Sequence, residues 1–211
     1  MDLKKARADL IKYLSQEIED KRVIKAMERV PREVFVPQEY YYAAYEDRPL
    51  SIGFGQTISQ PFIVALMIQA LELKGGEKVL ELGAGSGYEA AILAELAKQV
   101  VTVELVPELA NSAKRVLEKL GYSNVEVHIA GKTLGWLEKA PYGAIIVSAG
   151  APSIPQVLLG QLEWGGRLVI PVGSKWQQDL LKVTRYLEGD KVENLGACYF
   201  VPLIGEDAWE E

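Results

Sequence analysis

Apolar residues recur at helical spacing in the N-terminal part of the chain. Residues 3–18 and 21–30 each carry apolar side chains on one helical face, so two helices are predicted there. A third helix is predicted after Pro61. Residues 32–54 show little periodicity, and a loop of that length within a compact domain is often functional.

From residue 78 onward the pattern changes, and short apolar runs alternate with helical stretches. Strands separated by helices predict βαβ units, and therefore a parallel sheet with helices on both faces. The predicted helices span residues 90–97, 107–120 and 155–162. The predicted strands are KVLEL (78–82), VVTVEL (100–105), VEVHIA (125–130), AIIVSA (144–149) and RLVIPV (167–172).

The last two apolar runs differ from the earlier ones. LLKVTRYL (180–187) and ACYFVPLI (197–204) are joined by a polar turn around residues 188–194, which has no room for a helix. They predict an antiparallel hairpin added to the sheet. The predicted fold class is α/β, a doubly wound, mostly parallel sheet with N-terminal helices. We expect a single domain over 1–211, with a helical and substrate segment (1–60) followed by the cofactor-binding sheet and hairpin (61–211).

Composition narrows the possible functions. The chain has 211 residues, of which 49% are apolar and 25% charged, as in an average globular domain. A net charge of −6 argues against a nucleic-acid binder. No apolar stretch is long enough to span a membrane. The lone cysteine, Cys198, cannot form an internal disulfide, so a reducing cytoplasm is the expected compartment. With His128 the only histidine, no metal site is expected.

A glycine-rich loop follows the first predicted strand of the sheet. Gly83, Gly85 and Gly87 stand between a strand and a helix, where a backbone can approach a bound group closely. Tyr88 occupies the position at which a dinucleotide fingerprint requires glycine, and no P-loop lysine follows. The loop alone is equally consistent with a tight turn that binds nothing.

An acid ends the second predicted strand. Glu104 lies about 20 residues beyond the glycine loop, where such folds place a carboxylate that accepts hydrogen bonds from ribose hydroxyls. Loop, spacing and acid together favour an adenosine-containing cofactor. The glycine spacing and the antiparallel last hairpin favour S-adenosylmethionine over NAD.

The segment PLSIGFGQTISQP (49–61) is the most unusual part of the chain. Ser59 precedes Gln60 and Pro61, which is a good helix N-cap with proline in the first turn. The same geometry also forms a small anion site suited to a carboxylate. The residues alone favour these two interpretations equally.

Together these segments resemble the protein-L-isoaspartate O-methyltransferase family, repair enzymes that methylate isoaspartyl carboxyls. The TISQP segment is specific to that family, whereas G-x-G-x-G fits many methyltransferases. The resemblance covers most of the chain and rests on VPREVFVP (30–37), AYEDRPLSIGFGQTISQP (44–61), VLELGAGSGYEAA (79–91), VTVELVPELANSAKRVLEKLG (101–121), APYGAIIVSAGAP (140–152), GGRLVIPVG (165–173) and FVPLIGE (200–206).

The resemblance implies roles for individual residues. Ser59 matches the active-site position, and residues 32–54 and 201–205 are candidate walls for an extended isoaspartyl peptide. The implied cofactor is S-adenosyl-L-methionine, with no nucleic-acid or membrane partner, and a monomer is expected. The implied cofactor-binding residues are Thr57, Ile58, Gln60, Glu81, Gly83, Ala84, Gly85, Ser86, Gly87, Glu104, Gly131 and Lys132.

The chain departs from the family pattern at three places. Gly131 stands where the family has an aspartate that meets the adenine amino group, Gly143 replaces a second aspartate, and Phe62 replaces a histidine. Two alternatives therefore stay open beside isoaspartyl methylation. One is a methyltransferase for another carboxyl or a small molecule, and the other is a catalytically weakened scaffold that acts as a binding protein.

Overall fold

The computed structural model describes residues 2–210, and its first layer is helical. Helix α1 (Leu3–Glu17) and helix α2 (Lys21–Arg29) each begin at an aspartate whose side chain accepts a hydrogen bond from a backbone N–H two residues on. Such caps stabilise a helix start by about 1 kcal/mol. Both predicted N-terminal helices are confirmed. None of the helices within residues 2–210 is long and apolar enough to cross a membrane.

A seven-stranded sheet forms the centre of the molecule. In spatial order its strands are β5 (Val125–Ile129), β4 (Gln99–Glu104), β3 (Lys78–Leu82), β6 (Tyr142–Val147), β7 (Leu162–Gly173), β8 (Gln178–Thr184) and β9 (Lys191–Cys198). Strands β3 to β7 run parallel, and β8 and β9 are antiparallel to their neighbours, which confirms the predicted α/β fold class. The remaining helices are α3 (Pro61–Ala70), α4 (Tyr88–Ala94), α5 (Pro107–Lys119) and α6 (Gln156–Gly160).

Successive residues of the central strands belong to two separate cores. Val79 packs on the face that α1 to α4 cover, whereas its neighbour Leu80 packs with α6 on the other face. Side chains alternate across a strand, so a strand buried on both faces is apolar along most of its length. The short apolar runs of the sequence therefore identified these strands.

The second strand of the predicted hairpin lies elsewhere. Strand β9 begins at Lys191, which pairs with Thr184, so residues 191–194 belong to the strand and not to the turn. Polar residues are tolerated there because β9 is an edge strand. The apolar run 197–204 instead crosses the carboxyl edge of the sheet, where Gly150 hydrogen-bonds to Val201 and Leu203. The prediction of a strand over 197–204 was wrong beyond Cys198.

Residues 32–54 contain more structure than their weak periodicity indicates. Two short 3₁₀ turns (Arg32–Val34 and Gln38–Ala43) lead to a hairpin of β1 (Leu50–Gly53) and β2 (Gln56–Ile58). Phe54 and Gly55, the two residues of its turn, both have positive φ (53° and 72°). This is the requirement of a type I′ turn, which commonly connects hairpin strands. The sequence prediction missed this hairpin.

Candidate functional site

A cavity of about 490 Å³ opens at the carboxyl ends of β3, β4 and β6. Its walls come from the segment after β1, the glycine loop, the start of the β5–β6 connection and residues 197–204. Ligands of open α/β sheets bind at this edge. The volume lies in the range of small-molecule sites, about 300–1,000 Å³.

The glycine loop is shaped by its own backbone. Gly83 and Gly85 have φ of 95° and 51°, and the N–H of Gly83 donates to the Val103 carbonyl at 2.8 Å. A side chain at Gly85 would approach Ile52 of the β1–β2 hairpin. Gly87 does not line the cavity. A side chain at this position would meet Ala113 of α5, so glycine permits the loop to pack closely against that helix.

Glu104 is held rigidly at the cavity wall. One carboxylate oxygen accepts from the Gly85 N–H at 2.7 Å, and the other accepts from the Val106 N–H at 3.0 Å. Each oxygen retains a second acceptor position, so the group fits a ligand with two adjacent hydroxyls, such as a ribose. The buried acid and the open glycine backbone together match an adenosine-containing cofactor.

The Ser59 segment, residues 57–60, forms another part of the cavity wall and is held in place by a hydrogen bond to its backbone. Thr57, Ile58, Ser59 and Gln60 all line the cavity. The Ser59 carbonyl accepts from Nη2 of Arg32 at 2.8 Å. The Ser59 hydroxyl has no hydrogen bond to any other residue that the structure describes, which leaves it available to a bound group.

Arg32 is the anchor, and it is fully buried. Its Nε donates to the Ala44 carbonyl at 2.8 Å, and its guanidinium lies 4.7 Å from the centre of the Tyr88 ring. Burial lowers the pKa of Arg32, although nearby Tyr88 and Asp47 favour its charge. One side chain thus ties the 3₁₀ region to the Ser59 segment.

Asp47, not Ser59, caps helix α3. Its Oδ1 accepts from the Phe62 N–H at 2.8 Å, and its Oδ2 accepts from the Gln60 side chain at 2.9 Å. Gln60 is the N-cap residue and makes no capping bond itself. The interpretation of Ser59 as an N-cap was therefore wrong, because a distant carboxylate fills that role. Sequence reasoning missed both Arg32 and Asp47, because other charged residues stand beside each of them and no local signal sets the two apart.

Two further candidate residues lie off the cavity wall. Glu81 is fully buried on β3 and does not line the cavity. Burial raises the pKa of Glu81, and the nearby Glu89 raises it further. The side chain of Lys132 does not line the cavity, and its carbonyl accepts from the Glu206 N–H. Of the two positions that lack a family acid, Gly131 lines the cavity, whereas Gly143 packs against Glu77 outside it.

Glu89 is an acid of the cavity wall that sequence reasoning missed. It lies in the first turn of α4, is 7% exposed, and accepts a hydrogen bond from the Ser148 hydroxyl at 3.1 Å. Its other oxygen is buried without a partner. Burial raises the pKa of Glu89 to about 7, and the bond from Ser148 opposes that shift.

Known proteins match this chain over nearly its whole length. The family model of the protein-L-isoaspartate(D-aspartate) O-methyltransferases (PCMT) matches residues 5–208. A protein-L-isoaspartate O-methyltransferase of Syntrophus aciditrophicus is 56% identical over 89% of this chain and 88% of its own. A relative from Syntrophobacter fumaroxidans, named protein-L-isoaspartate O-methyltransferase 1, is 51% identical over 100% of this chain and 99% of its own.

Solved structures agree with these sequence matches. A protein-L-isoaspartate O-methyltransferase superposes with a TM-score of 0.86 at 30% identity, covering 96% of this chain and 67% of that one. A Plasmodium falciparum protein described as a beta-aspartate methyltransferase, in complex with S-adenosyl-L-homocysteine, gives 0.80 at 27% identity, over 92% and 96% of the two chains.

Proposed function

Because the chain belongs to the protein-L-isoaspartate(D-aspartate) O-methyltransferase family, it is an S-adenosylmethionine-dependent methyltransferase of isoaspartyl carboxyls, and we propose that Ser59 positions the substrate carboxyl while the glycine loop binds the cofactor. The observation that supports the assignment is geometric. Ser59, whose hydroxyl makes no hydrogen bond within residues 2–210, and the fixed Glu104 carboxylate line the same cavity. Neither another substrate nor a non-catalytic scaffold is favoured, since relatives at 51–56% identity bear the same enzyme name.

We propose that the cofactor lies along the carboxyl edge of the sheet. Gly131 follows β5, Glu104 ends β4, the glycine loop follows β3 and Ser148 follows β6, and these strands are neighbours in that order. The adenine then lies at Gly131, the ribose at Glu104 and the methionine portion over the glycine loop. The residues proposed to contact the cofactor are Thr57, Ile58, Gln60, Gly83, Ala84, Gly85, Ser86, Glu104 and Gly131. Three further candidate residues do not line the cavity and are proposed to hold its walls in place without touching the cofactor: Glu81, Gly87 and Lys132.

The chemistry needs no general base. A carboxyl group with an ordinary pKa near 4 is already ionised at pH 7, and the bound cofactor supplies an electrophilic methyl group. Ser59 donates a hydrogen bond to one substrate oxygen and aims the other at the methyl group. Buried Phe200 and Leu203 line the same cavity and exclude water from the carboxylate.

Replacing Ser59 with alanine should lower kcat about 10- to 100-fold, because one positioning hydrogen bond to a charged oxygen is lost. Affinity for S-adenosylhomocysteine should change by less than about twofold, since the hydroxyl is assigned to the substrate. The assay is formation of a base-labile methyl ester on an isoaspartyl peptide, with the aspartyl twin as substrate control. Ser51→Ala, an exposed serine on β1, is the matched variant. Equal loss of turnover and cofactor affinity would contradict the role.

Replacing Gly131 with aspartate should tighten S-adenosylhomocysteine binding about fivefold to tenfold, because a carboxylate there can accept from the adenine amino group. A side chain at Gly131 meets no atom within 4 Å, so the change fits without strain. Calorimetric titration measures the affinity, and Gly76→Asp, equally open but outside the cavity, is the control. Unchanged affinity would show that other groups hold the adenine.

We also propose that the protein acts in the cytoplasm as a monomer, without nucleic-acid or membrane partners. The single cysteine supports a reducing compartment, and the net charge of −6 argues against a nucleic-acid partner. Its macromolecular partners are then its substrates, isoaspartyl-containing peptides and proteins.

A further inference from the structure

Two buried carboxyl groups lie beneath the glycine loop without a cation. Glu89 reaches the cavity wall from α4, and Glu81 lies behind it on β3, with both of its oxygens unpartnered. Among residues 2–210, no lysine, arginine or histidine forms an ion pair with either group. Buried charges are normally paired, so this arrangement is costly unless a cationic ligand approaches it.

The strand order indicates which part of the cofactor lies nearest. Glu104, on β4, is two strands away from Ser148, which follows β6, and adjacent strands are about 4.8 Å apart. With the ribose at Glu104 and the adenine toward β5, the amino-acid end of the cofactor extends over β3 toward β6. Glu89 lies at that place, since its carboxylate accepts from Ser148.

We infer that Glu89 binds the α-ammonium group of the methionine portion of the cofactor. An ammonium group donates three hydrogen bonds, and Glu89 offers one unpartnered oxygen and a second that Ser148 already orients. The contact joins opposite charges in a buried site, where charge-assisted hydrogen bonds are strong. Glu81 lies behind Glu89 on β3, outside the cavity wall, and does not touch the ligand. This inference depends on the cofactor placement proposed above.

The experiment compares two ligands that differ at the amino-acid end. S-Adenosylhomocysteine carries the α-ammonium group, whereas 5′-methylthioadenosine retains the nucleoside and the sulfur but lacks the amino acid. Glu89→Gln should weaken S-adenosylhomocysteine about tenfold or more and leave 5′-methylthioadenosine within about twofold, both measured by calorimetric titration. Glu95→Gln, an acid that follows α4 and pairs with Arg29 outside the cavity, should change neither affinity.

The outcomes separate this inference from the placement on which it depends. If the unaltered protein binds both ligands and Glu89→Gln weakens both equally, or neither, the ammonium contact is wrong and the placement stands. If the unaltered protein binds neither ligand, both fail. Glu89→Ala, tested on the same pair of ligands, serves if the glutamine variant does not fold, and a loss confined to S-adenosylhomocysteine supports the contact.

Discussion

Replacing Arg32 with alanine should lower the free energy of unfolding by about 3–5 kcal/mol. The side chain is fully buried, donates to the carbonyls of Ala44 and Ser59, and packs over the Tyr88 ring. Its removal leaves a cavity and takes the donor from two carbonyls, the buried one of Ala44 and the partly buried one of Ser59. Each unsatisfied buried group costs about 1–3 kcal/mol, so the lost hydrogen bonds account for much of the expected effect.

Urea denaturation of Arg32→Ala and Arg29→Ala provides the measurement. Arg29 lies three residues earlier, and its side chain is 67% exposed in a surface pair with Glu95, so its loss should cost less than about 1 kcal/mol. Equal losses in the two variants would contradict the anchoring role of Arg32.

The milder variant Arg32→Lys tests function rather than stability. A lysine carries one ammonium group and cannot reproduce the guanidinium fork that reaches Ala44 and Ser59 together. We expect kcat to fall about tenfold, because Ser59 loses its fixed position, with little change in S-adenosylhomocysteine affinity. An unchanged kcat would show that the Ser59 segment is positioned without Arg32.

Local patterns explain which parts of the fold could be predicted. Strands β3 and β4 are short, mostly apolar runs between helices, and Glu104 ends β4 about 20 residues beyond the glycine loop. These features depend only on neighbouring residues. The turn at Phe54–Gly55 also depends on local sequence, but the hairpin is so short that periodicity does not reveal it.

Contacts between distant residues explain what could not be predicted. Arg32 bonds to Ser59 27 positions away, and Glu89 bonds to Ser148 59 positions away. A single sequence does not indicate such pairs. The same limit applied to helix α3, because Asp47 caps it from outside the segment in which a capping residue is normally sought.

Replacing Glu89 with glutamine should stabilise the protein by about 3 kcal/mol at pH 8 but by less than about 1 kcal/mol at pH 5. Burial raises the pKa of this carboxyl from 4.5 in the unfolded chain to about 7. The folded state therefore opposes ionisation, and stability falls as the pH rises from about 4.5 through 7. Glutamine keeps the shape and the acceptor for Ser148 but carries no charge, so that loss disappears.

Urea denaturation of both proteins at pH 5 and pH 8 measures the difference, and Glu95→Gln should show no comparable gain at either pH. A gain of equal size at both pH values would contradict the electrostatic explanation. The result also bears on function, because the same substitution is expected to weaken S-adenosylhomocysteine binding. A carboxylate that destabilises the unliganded protein yet strengthens ligand binding is typical of a binding site, because residues selected for function often lower the stability of the folded protein. A substitution that removed only a structural contact would lower stability and affinity together.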